Sequence, residues 1–319
     1  MSDLLLFTDN YPFGDGETFL ETEILYLAKN FRNIHIFPLF YGGNKAARDL
    51  PANVSCSKPA IAFDVKNDKI TLLLAGALNV SPLKFAFKEF IAKKVYTNSK
   101  WLNNWLLSTL FIRILLKPNN FNPIHNKIKP NTILYFYWGD KYSGIVPFIA
   151  KKYSNVIIAR FHGSDLYEET KGGYIPYRKL LITSLSWSVF ISQKGREYLS
   201  HKYPSVSDKS KLFRLGVDSN GLAHKSDDDV LRIVSCSNVI PLKRIDLIID
   251  ALSFIDFAVE WTHFGDGPLL QKMKYKCEQL NSNIQCNFVG RVSNVEILKF
   301  YGNSPVDLFL NVSTTEGIP

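Results

Sequence analysis

The sequence predicts an α/β protein made of two doubly wound domains, each with a parallel sheet covered by helices on both faces. Short apolar runs alternate with helical stretches from end to end. Runs such as VIIARF, at Val156–Phe161, are almost continuously apolar, which is typical of strands buried on both faces. A single polar stretch, residues 218–230, interrupts this alternation and has the composition of a linker.

The first predicted domain covers residues 1–217 and contains a basic helical insert at about 81–130. Its other elements are predicted from apolar runs of strand length and from helical spacing. In chain order they are strand Leu4–Thr8, helix Thr18–Asn30, strand Ile34–Phe40, strand Thr132–Tyr137, helix Tyr142–Lys152, strand Val156–Phe161, helix Tyr174–Leu185, strand Ser188–Ile191, helix Lys194–Lys202 and strand Lys211–Leu215.

The second predicted domain covers residues 231–319. The same alternation restarts there after the linker. Its elements are strand Leu231–Ser235, helix Arg244–Phe254, strand Val259–Phe264, helix Leu269–Gln279, strand Gln285–Val289, helix Val295–Tyr301 and strand Asp307–Val312. Two such domains are expected to face each other across a cleft, with ligands held by loops at the carboxyl ends of the strands.

The composition excludes a disordered chain and a membrane bundle, because 46% of the 319 residues are hydrophobic and 21% are charged. Four cysteines without metal-ligand spacing indicate a reduced compartment. The longest apolar stretch, Trp105–Leu116, is too short to cross a bilayer, and the first residues do not form a secretory signal. These features predict a cytoplasmic protein.

The net charge of +9 is concentrated in residues 81–130, where nine basic residues accompany one acid, Glu89. The cations are Lys84, Lys88, Lys93, Lys94, Lys100, Arg113, Lys117, Lys127 and Lys129. Aromatic residues lie between them, Phe87, Trp101 and Trp105 among others, which suits a helix lying on an anionic membrane surface, here the inner face of the membrane. An ordinary solvated helix pair is the alternative. Nucleic acid is not predicted as a partner, because no nucleic-acid motif accompanies the charge.

Four stretches that follow predicted strands are candidates for a binding site. After the first strand, Gly14 and Gly16 precede a helix, where backbone amides could approach an anion. After VIIARF, His162 can point toward the cleft, although a structural histidine has the same pattern, and Asp165 could equally cap a helix.

The other two stretches lie in the second domain. Lys243 and Arg244 begin a predicted helix, so their charges add to the positive end of its dipole and suit a diphosphate. Glu316 and Gly317 follow the last strand, where a carboxylate could bind sugar hydroxyls and amides could face phosphate.

Six segments occur in an order that resembles one family. They are YPFGDGETFLETE, RFHGSDLYEE, SNVIPLKRIDLIIDAL, WTHFGDGPLL, FVGRVSNVEILKFY and NVSTTEGIP. In this order they are similar to the retaining, family-4 GT-B glycosyltransferases of bacterial capsule, O-antigen and exopolysaccharide assembly. The resemblance implies transfer of a sugar from a nucleotide-diphosphate sugar to a lipid-linked or polysaccharide acceptor, with no metal or other cofactor.

The resemblance also implies roles for individual residues. His162 would contact the transferring sugar, Lys243 the leaving diphosphate, and Glu316 the sugar hydroxyls. Gly14, Gly16, Arg244 and Gly317 would lie at the phosphates or support that site. The base would be held by Gly290, Arg291 and Val292.

The chain departs from the family in two places. Asn238 lies near the position where the family often has an arginine, and the chain ends at Pro319, before a second glutamate expected eight positions after Glu316. The second domain is therefore predicted to be incomplete and turnover very low, and extension is expected to restore stability and activity. Two alternatives stay open: an inactive remnant that binds membrane or partners, and a sugar-nucleotide epimerase of the same architecture.

Overall fold

The computed structural model of the protein describes residues 1–14, 16–41, 47–62, 71, 75, 83–216, 219, 221, 222 and 225–314. The chain divides into two compact units, Met1–Val217 and Asp218–Pro319. Both contain a parallel sheet with helices, so the predicted α/β class with parallel sheets is confirmed.

The first unit is built on a seven-stranded parallel sheet in the order β3-β2-β1-β4-β5-β6-β7. The strands are β1 Leu4–Thr8, β2 Ile34–Pro38, β3 Val54–Cys56, β4 Ile133–Phe136, β5 Ile157–Phe161, β6 Trp187–Phe190 and β7 Ser210–Leu212. Alternate residues of β1 enter different cores: Leu5 and Phe7 pack in one, and Leu4 and Leu6 in the other. Because side chains alternate across a strand, both faces of the sheet are covered, as the apolar runs predicted.

Seven α-helices of the first unit lie within the described residues. They are α1 Phe19–Asn30, α2 Leu83–Ala92, α3 Ser99–Leu115, α4 Pro118–His125, α5 Val146–Ala150, α6 Arg178–Ser184 and α7 Gln193–Lys202. The basic insert therefore contains three helices. Asn98 separates α2 from α3 and caps α3, since its side chain accepts the amides of Lys100 and Trp101.

Two predicted helices of this unit were wrong in detail, and one strand was missed. The predicted helix Tyr142–Lys152 is a short 3-10 turn, Lys141–Ile145, followed by α5, because Pro147 has no amide to continue a helix from the preceding turn. The predicted helix Tyr174–Leu185 begins only at Arg178, after Pro176 and a left-handed Tyr177. Strand β3 was not predicted. It pairs with β2 and spans three residues.

The second unit contains a four-stranded parallel sheet in the order β10-β9-β8-β11. Its strands are β8 Leu231–Cys236, β9 Val259–Phe264, β10 Ile284–Gly290 and β11 Leu308–Phe309. Its helices are α8 Ile245–Leu252, α9 Leu270–Cys277 and α10 Asn294–Asn303. A core around Trp261 joins β8, β9, α8 and α9, and side chains of β10 pack against it. The last strand is shorter than predicted, and its Leu308 and Phe309 are 43% and 50% exposed.

None of the helices in the described part of the chain is long and apolar enough to cross a membrane. All four cysteines are free thiols.

Candidate functional site

Three loops meet at the carboxyl edge of the first unit's sheet. They follow the neighbouring strands β1, β4 and β5, and they begin at Asp9, Tyr137 and His162. Because parallel strands end at the same edge of their sheet, these loops form one surface.

His162 is the most distinctive side chain of this edge. It is 8% exposed, and its ring packs against Tyr137 and Trp138, with ring centroids 4.9 and 4.3 Å away. Burial, and secondarily the charge of Arg160, lowers its pKa to about 3, so the imidazole is neutral. Neither ring nitrogen has a hydrogen-bond partner among the described residues. A buried neutral imidazole offers one donor and one acceptor, and here both are available to a ligand.

Asp165 fixes the loop that carries His162. Its carboxylate accepts the amides of His162 and Gly139 at 2.7 and 2.6 Å, and so joins the loops after β5 and β4. The pKa of Asp165 is raised to about 7, mainly by burial and further by the charge of Asp140. The suggestion that Asp165 caps a helix is wrong, since the next helical turn begins only at Glu168.

Two residues that the sequence did not single out complete this junction. The buried guanidinium of Arg178 donates to the carbonyl oxygens of Gly139 and Asp165. At Gly139 an added Cβ would lie 2.2 Å from the ring of Phe161, so only glycine fits there. A glycine after a strand was the one signal available in the sequence.

Glu17 joins the loops after β1 and β4. Its carboxylate accepts the amides of Asp9, Asn10 and Tyr11 at 2.9, 2.7 and 2.6 Å. It also accepts the indole N–H of Trp138 at 2.7 Å, and Trp138 packs on His162. Three consecutive amides at a strand end are an anion-binding arrangement, and in this chain the anion is a side chain. No motif around Glu17 indicated this role.

The two candidate glycines lie in the same loop. Gly14 has a φ of 68°, and the guanidinium of Arg48 donates to the carbonyl oxygens of Gly14 and Gly16. Arg48 also pairs with Glu21 on α1 at 3.0 Å. Their carbonyls are thus anchored, and contact of their amides with a diphosphate stays a prediction.

A partly buried ion pair lies beside these groups. Lys141, with a left-handed φ of 45°, donates from Nζ to Asp9 Oδ2. Burial is the main cause that raises the pKa of Asp9 to about 6, and the pairing with Lys141 opposes it. The edge therefore combines a neutral imidazole with carboxyl groups whose pKa values lie above the usual range.

In the second unit, Lys243 and Arg244 lie between β8 and α8. Lys243 is half-buried at the end of a short 3-10 turn, Pro241–Lys243. Arg244 adopts a left-handed conformation directly before α8, and its Nε donates to the carbonyl of Val312 at 2.9 Å. One nitrogen of Arg244 thus ties this turn to the segment after β11.

Two glycines after β9 shape the same turn. An added Cβ on Gly265 would lie 1.9 Å from the carbonyl oxygen of Ser237, and one on Gly267 would lie 2.5 Å from that of Val239. The buried His263 supports this close contact between the chain after β9 and the chain after β8. Its Nδ1 bonds to Ser235 Oγ at 2.8 Å and its Nε2 to the Ser237 carbonyl at 3.2 Å.

Gly290 ends β10, and Arg291 and Val292 follow it. Gly290 has a φ of 84°, and its carbonyl accepts the amide of Gly265 at 2.8 Å. Arg291 is exposed and Val292 half-buried. Their contact with a nucleotide base stays a prediction.

Glu316 and Gly317 lie outside the described residues. The chain that leads to them is placed: Thr314 donates its amide to the carbonyl of Leu242 at 2.9 Å, one residue from Lys243. In the described part of the chain, no three His, Cys, Asp or Glu side chains are grouped as a metal site, and metal independence stays a prediction.

No protein-family model and no curated protein matches the chain. Solved structures do match. The chain is similar over 99% of its length to 76% of the lipopolysaccharide outer core galactosyltransferase WaaB in its apo form, with 14% identity and a TM-score of 0.65. It is similar over 98% of its length to 75% of Anabaena HepE in complex with UDP-glucose, with 11% identity and a TM-score of 0.53.

A third structure is a mutant of S. aureus TarM in complex with fondaparinux, α-GlcNAc-glycerol and UDP. The chain is similar to it over 99% of its own length and 82% of that chain, with 13% identity and a TM-score of 0.56. At these identities the likeness shows the fold alone. The chain has the GT-B fold, as predicted.

Proposed function

We propose that the protein is a retaining, metal-independent glycosyltransferase that moves a sugar from a nucleotide-diphosphate sugar to a lipid-linked or polysaccharide acceptor in the cytoplasm. Two structures with the same fold support a nucleotide-sugar donor, since HepE is described with UDP-glucose and TarM with UDP. We further propose family 4 and a place in capsule, O-antigen or exopolysaccharide assembly, on the six sequence segments that resemble that group.

The observation that carries the proposal is His162. In the part of the chain that the structure describes, its two ring nitrogens are buried without a partner at the sheet edge where ligands bind in doubly wound folds. Leaving a buried polar group unpaired costs about 1–3 kcal/mol, so the site favours a ligand that supplies the missing bonds. Sugar hydroxyls donate and accept, as a neutral imidazole does. We propose that His162 contacts the transferring sugar.

In the second unit, we propose that Lys243 neutralises the leaving diphosphate and that Arg244 assists through its Nη groups. Glu316 and the amide of Gly317 would face the donor sugar and its phosphate, and Thr314 brings their segment beside the Lys243 turn. Gly290, Arg291 and Val292 would hold the base. Gly14 and Gly16 would approach the diphosphate from the first unit.

In this reaction, the bond between the anomeric carbon and the diphosphate oxygen breaks. A bond from the acceptor hydroxyl oxygen to that carbon forms on the same face of the sugar. The nucleotide diphosphate leaves with the electron pair, and the acceptor proton passes to it. Cations and amides aimed at the leaving group lower the barrier by stabilising its developing charge.

The test is turnover of UDP- and GDP-sugars, as hydrolysis or transfer, followed by NMR of the anomeric centre. We expect retention, and we expect His162→Ala to lower turnover far more than affinity for the free nucleotide. His201→Ala, on the exposed end of α7, is the control. Inversion at the anomeric carbon, or equal losses of turnover and nucleotide affinity, would contradict the proposal.

Lys243→Ala tests the diphosphate contact. We expect nucleotide affinity to fall by about 1.5–3 kcal/mol, the range for hydrogen bonds to charged groups. Lys272→Ala removes a charge from the exposed side of α9 and should leave affinity unchanged. Calorimetry that finds the two variants alike would remove Lys243 from the diphosphate site.

A further inference from the structure

One face of α2 alternates cations and apolar side chains, all exposed. Lys84, Phe87, Lys88 and Ile91 follow the i, i+3, i+4, i+7 spacing of a single helix face, which we call the docking face. Phe87 is 65% exposed and Ile91 50%. Neither side chain belongs to the two cores formed by the described residues of the first unit.

The only acid of residues 81–130 points away from the docking face. Glu89 Oε1 accepts the hydroxyl of Tyr174 and the amide of Tyr177, both at 3.0 Å, so it is held against the body of the unit. The outward charge of α2 is therefore wholly positive. Lys93 and Lys94, exposed in the turn after α2, extend it.

Other aromatic residues of the insert hold its helices in place. Trp105 packs on Phe90 at 4.9 Å and donates to the carbonyl of Ala86, and Trp101 donates to the carbonyl of Gly172. Phe85 stacks on Tyr177 at 4.5 Å. Trp101 and Trp105 thus have contacts within the fold, and their contact with a membrane surface stays a prediction.

We propose that the docking face binds an anionic lipid surface, with Phe87 and Ile91 entering the boundary between headgroups and acyl chains. Lys84, Lys88, Lys93 and Lys94 then contact lipid phosphates. This arrangement is that of a helix lying in a membrane interface, where burial of apolar area and attraction to anionic lipid act together. A nucleic acid would use the lysines but would leave Ile91 in water. The inference does not depend on the proposed reaction.

The test is sedimentation of the whole chain with phosphatidylglycerol–phosphatidylcholine vesicles and with pure phosphatidylcholine vesicles. Binding should require phosphatidylglycerol and weaken from about 0.1 M to about 1 M salt, as the screening length falls from about 10 Å to 3 Å. Each lysine near the surface is worth about fivefold in binding, so Lys84→Gln with Lys88→Gln should reduce partitioning about 30-fold. Phe87→Ser with Ile91→Ser should reduce it at least tenfold.

Two matched controls remove charge or an apolar side chain outside the docking face. They test whether vesicle binding depends on the position of these side chains. Lys127→Gln with Lys129→Gln removes the same charge beside Asp3 and Asn33, where the strands of the first sheet begin. Phe254→Ser removes a side chain that is 88% exposed in the second unit. Both should bind as the unchanged chain does. All substituted side chains are exposed, and circular dichroism verifies the fold.

Three results would overturn the proposal. They are no binding to anionic vesicles by the unchanged chain, equal binding to both vesicle types, and equal losses in docking-face and control variants. Binding of duplex DNA in place of vesicles would assign the lysines to nucleic acid.

Discussion

Replacing Glu17 with glutamine tests how the loops that carry the candidate site are joined. The carboxylate accepts four N–H groups, from Asp9, Asn10, Tyr11 and Trp138, at 2.6–2.9 Å. A glutamine amide has one oxygen in place of two, and its NH₂ group would face donors. At least two of the four bonds are lost. Each is worth about 1.5–3 kcal/mol because the acceptor is charged. Since Glu17 is only partly buried, we expect the first unit to lose about 3 kcal/mol of unfolding free energy.

Urea unfolding followed by tryptophan fluorescence measures this loss. Of the five tryptophans, all but Trp261 lie in the first unit, so the signal reports mainly on that unit. Glu21→Gln, four residues further on in α1, is the matched control. Its carboxylate is 50% exposed and pairs with Arg48, so its loss should stay below about 1 kcal/mol. If the two variants agree within about 0.5 kcal/mol, Glu17 does not hold the loops together.

The remaining predictions concern His162 and glycines of both units. Because the pKa of His162 in the fold is about 3, below the unfolded value, its contribution to stability is present above about pH 6.5 and is lost as pH falls. Acidification from about pH 7.5 to 5 should therefore lower the unfolding free energy of the unchanged chain by about 2 kcal/mol more than that of His162→Asn. Urea unfolding at each pH measures the difference. Equal losses would mean that this imidazole is protonated in the fold. Gly139→Ala should destabilise the first unit by about 1–3 kcal/mol. Gly163→Ala, whose Cβ would meet open space, should destabilise it by less than about 0.5 kcal/mol. Gly265→Ala should unfold the second unit at lower temperature and abolish nucleotide binding, whereas Gly302→Ala in α10 should be neutral or stabilising by up to about 1 kcal/mol, both followed by calorimetry.

The sheets were predictable because their strands are nearly continuous apolar runs. β1 was predicted with its observed ends, Leu4–Thr8, and is buried along its whole length. β3 could not be found in this way, since three residues, Val54–Cys56, give too short a pattern and its pairing with β2 supplies the rest. Pro176 was a sequence signal for the late start of α6. No signal indicated the left-handed conformation of Tyr177.

For the candidate site, the sequence indicated which residues lie at the sheet edge, because they follow a strand. It did not indicate which distant residues they contact. His162 was predicted to lie at the sheet edge, and it does. Glu17 was missed because its contact with Trp138 joins residues 121 positions apart. Arg178, which donates to a carbonyl 39 positions earlier, was missed for the same reason. Contacts of this kind are set by the packing of the whole unit.

The most direct test of the proposed function compares binding of UDP and UDP-glucose by calorimetry in three forms of the chain. The unchanged chain should bind both ligands. Lys243→Ala should weaken both by about the same factor, because the diphosphate is common to them. His162→Ala should weaken UDP-glucose and leave UDP unchanged, because its proposed partner is the sugar. Binding of neither UDP nor GDP nor their sugars, or equal weakening of UDP and UDP-glucose by His162→Ala, would contradict the account.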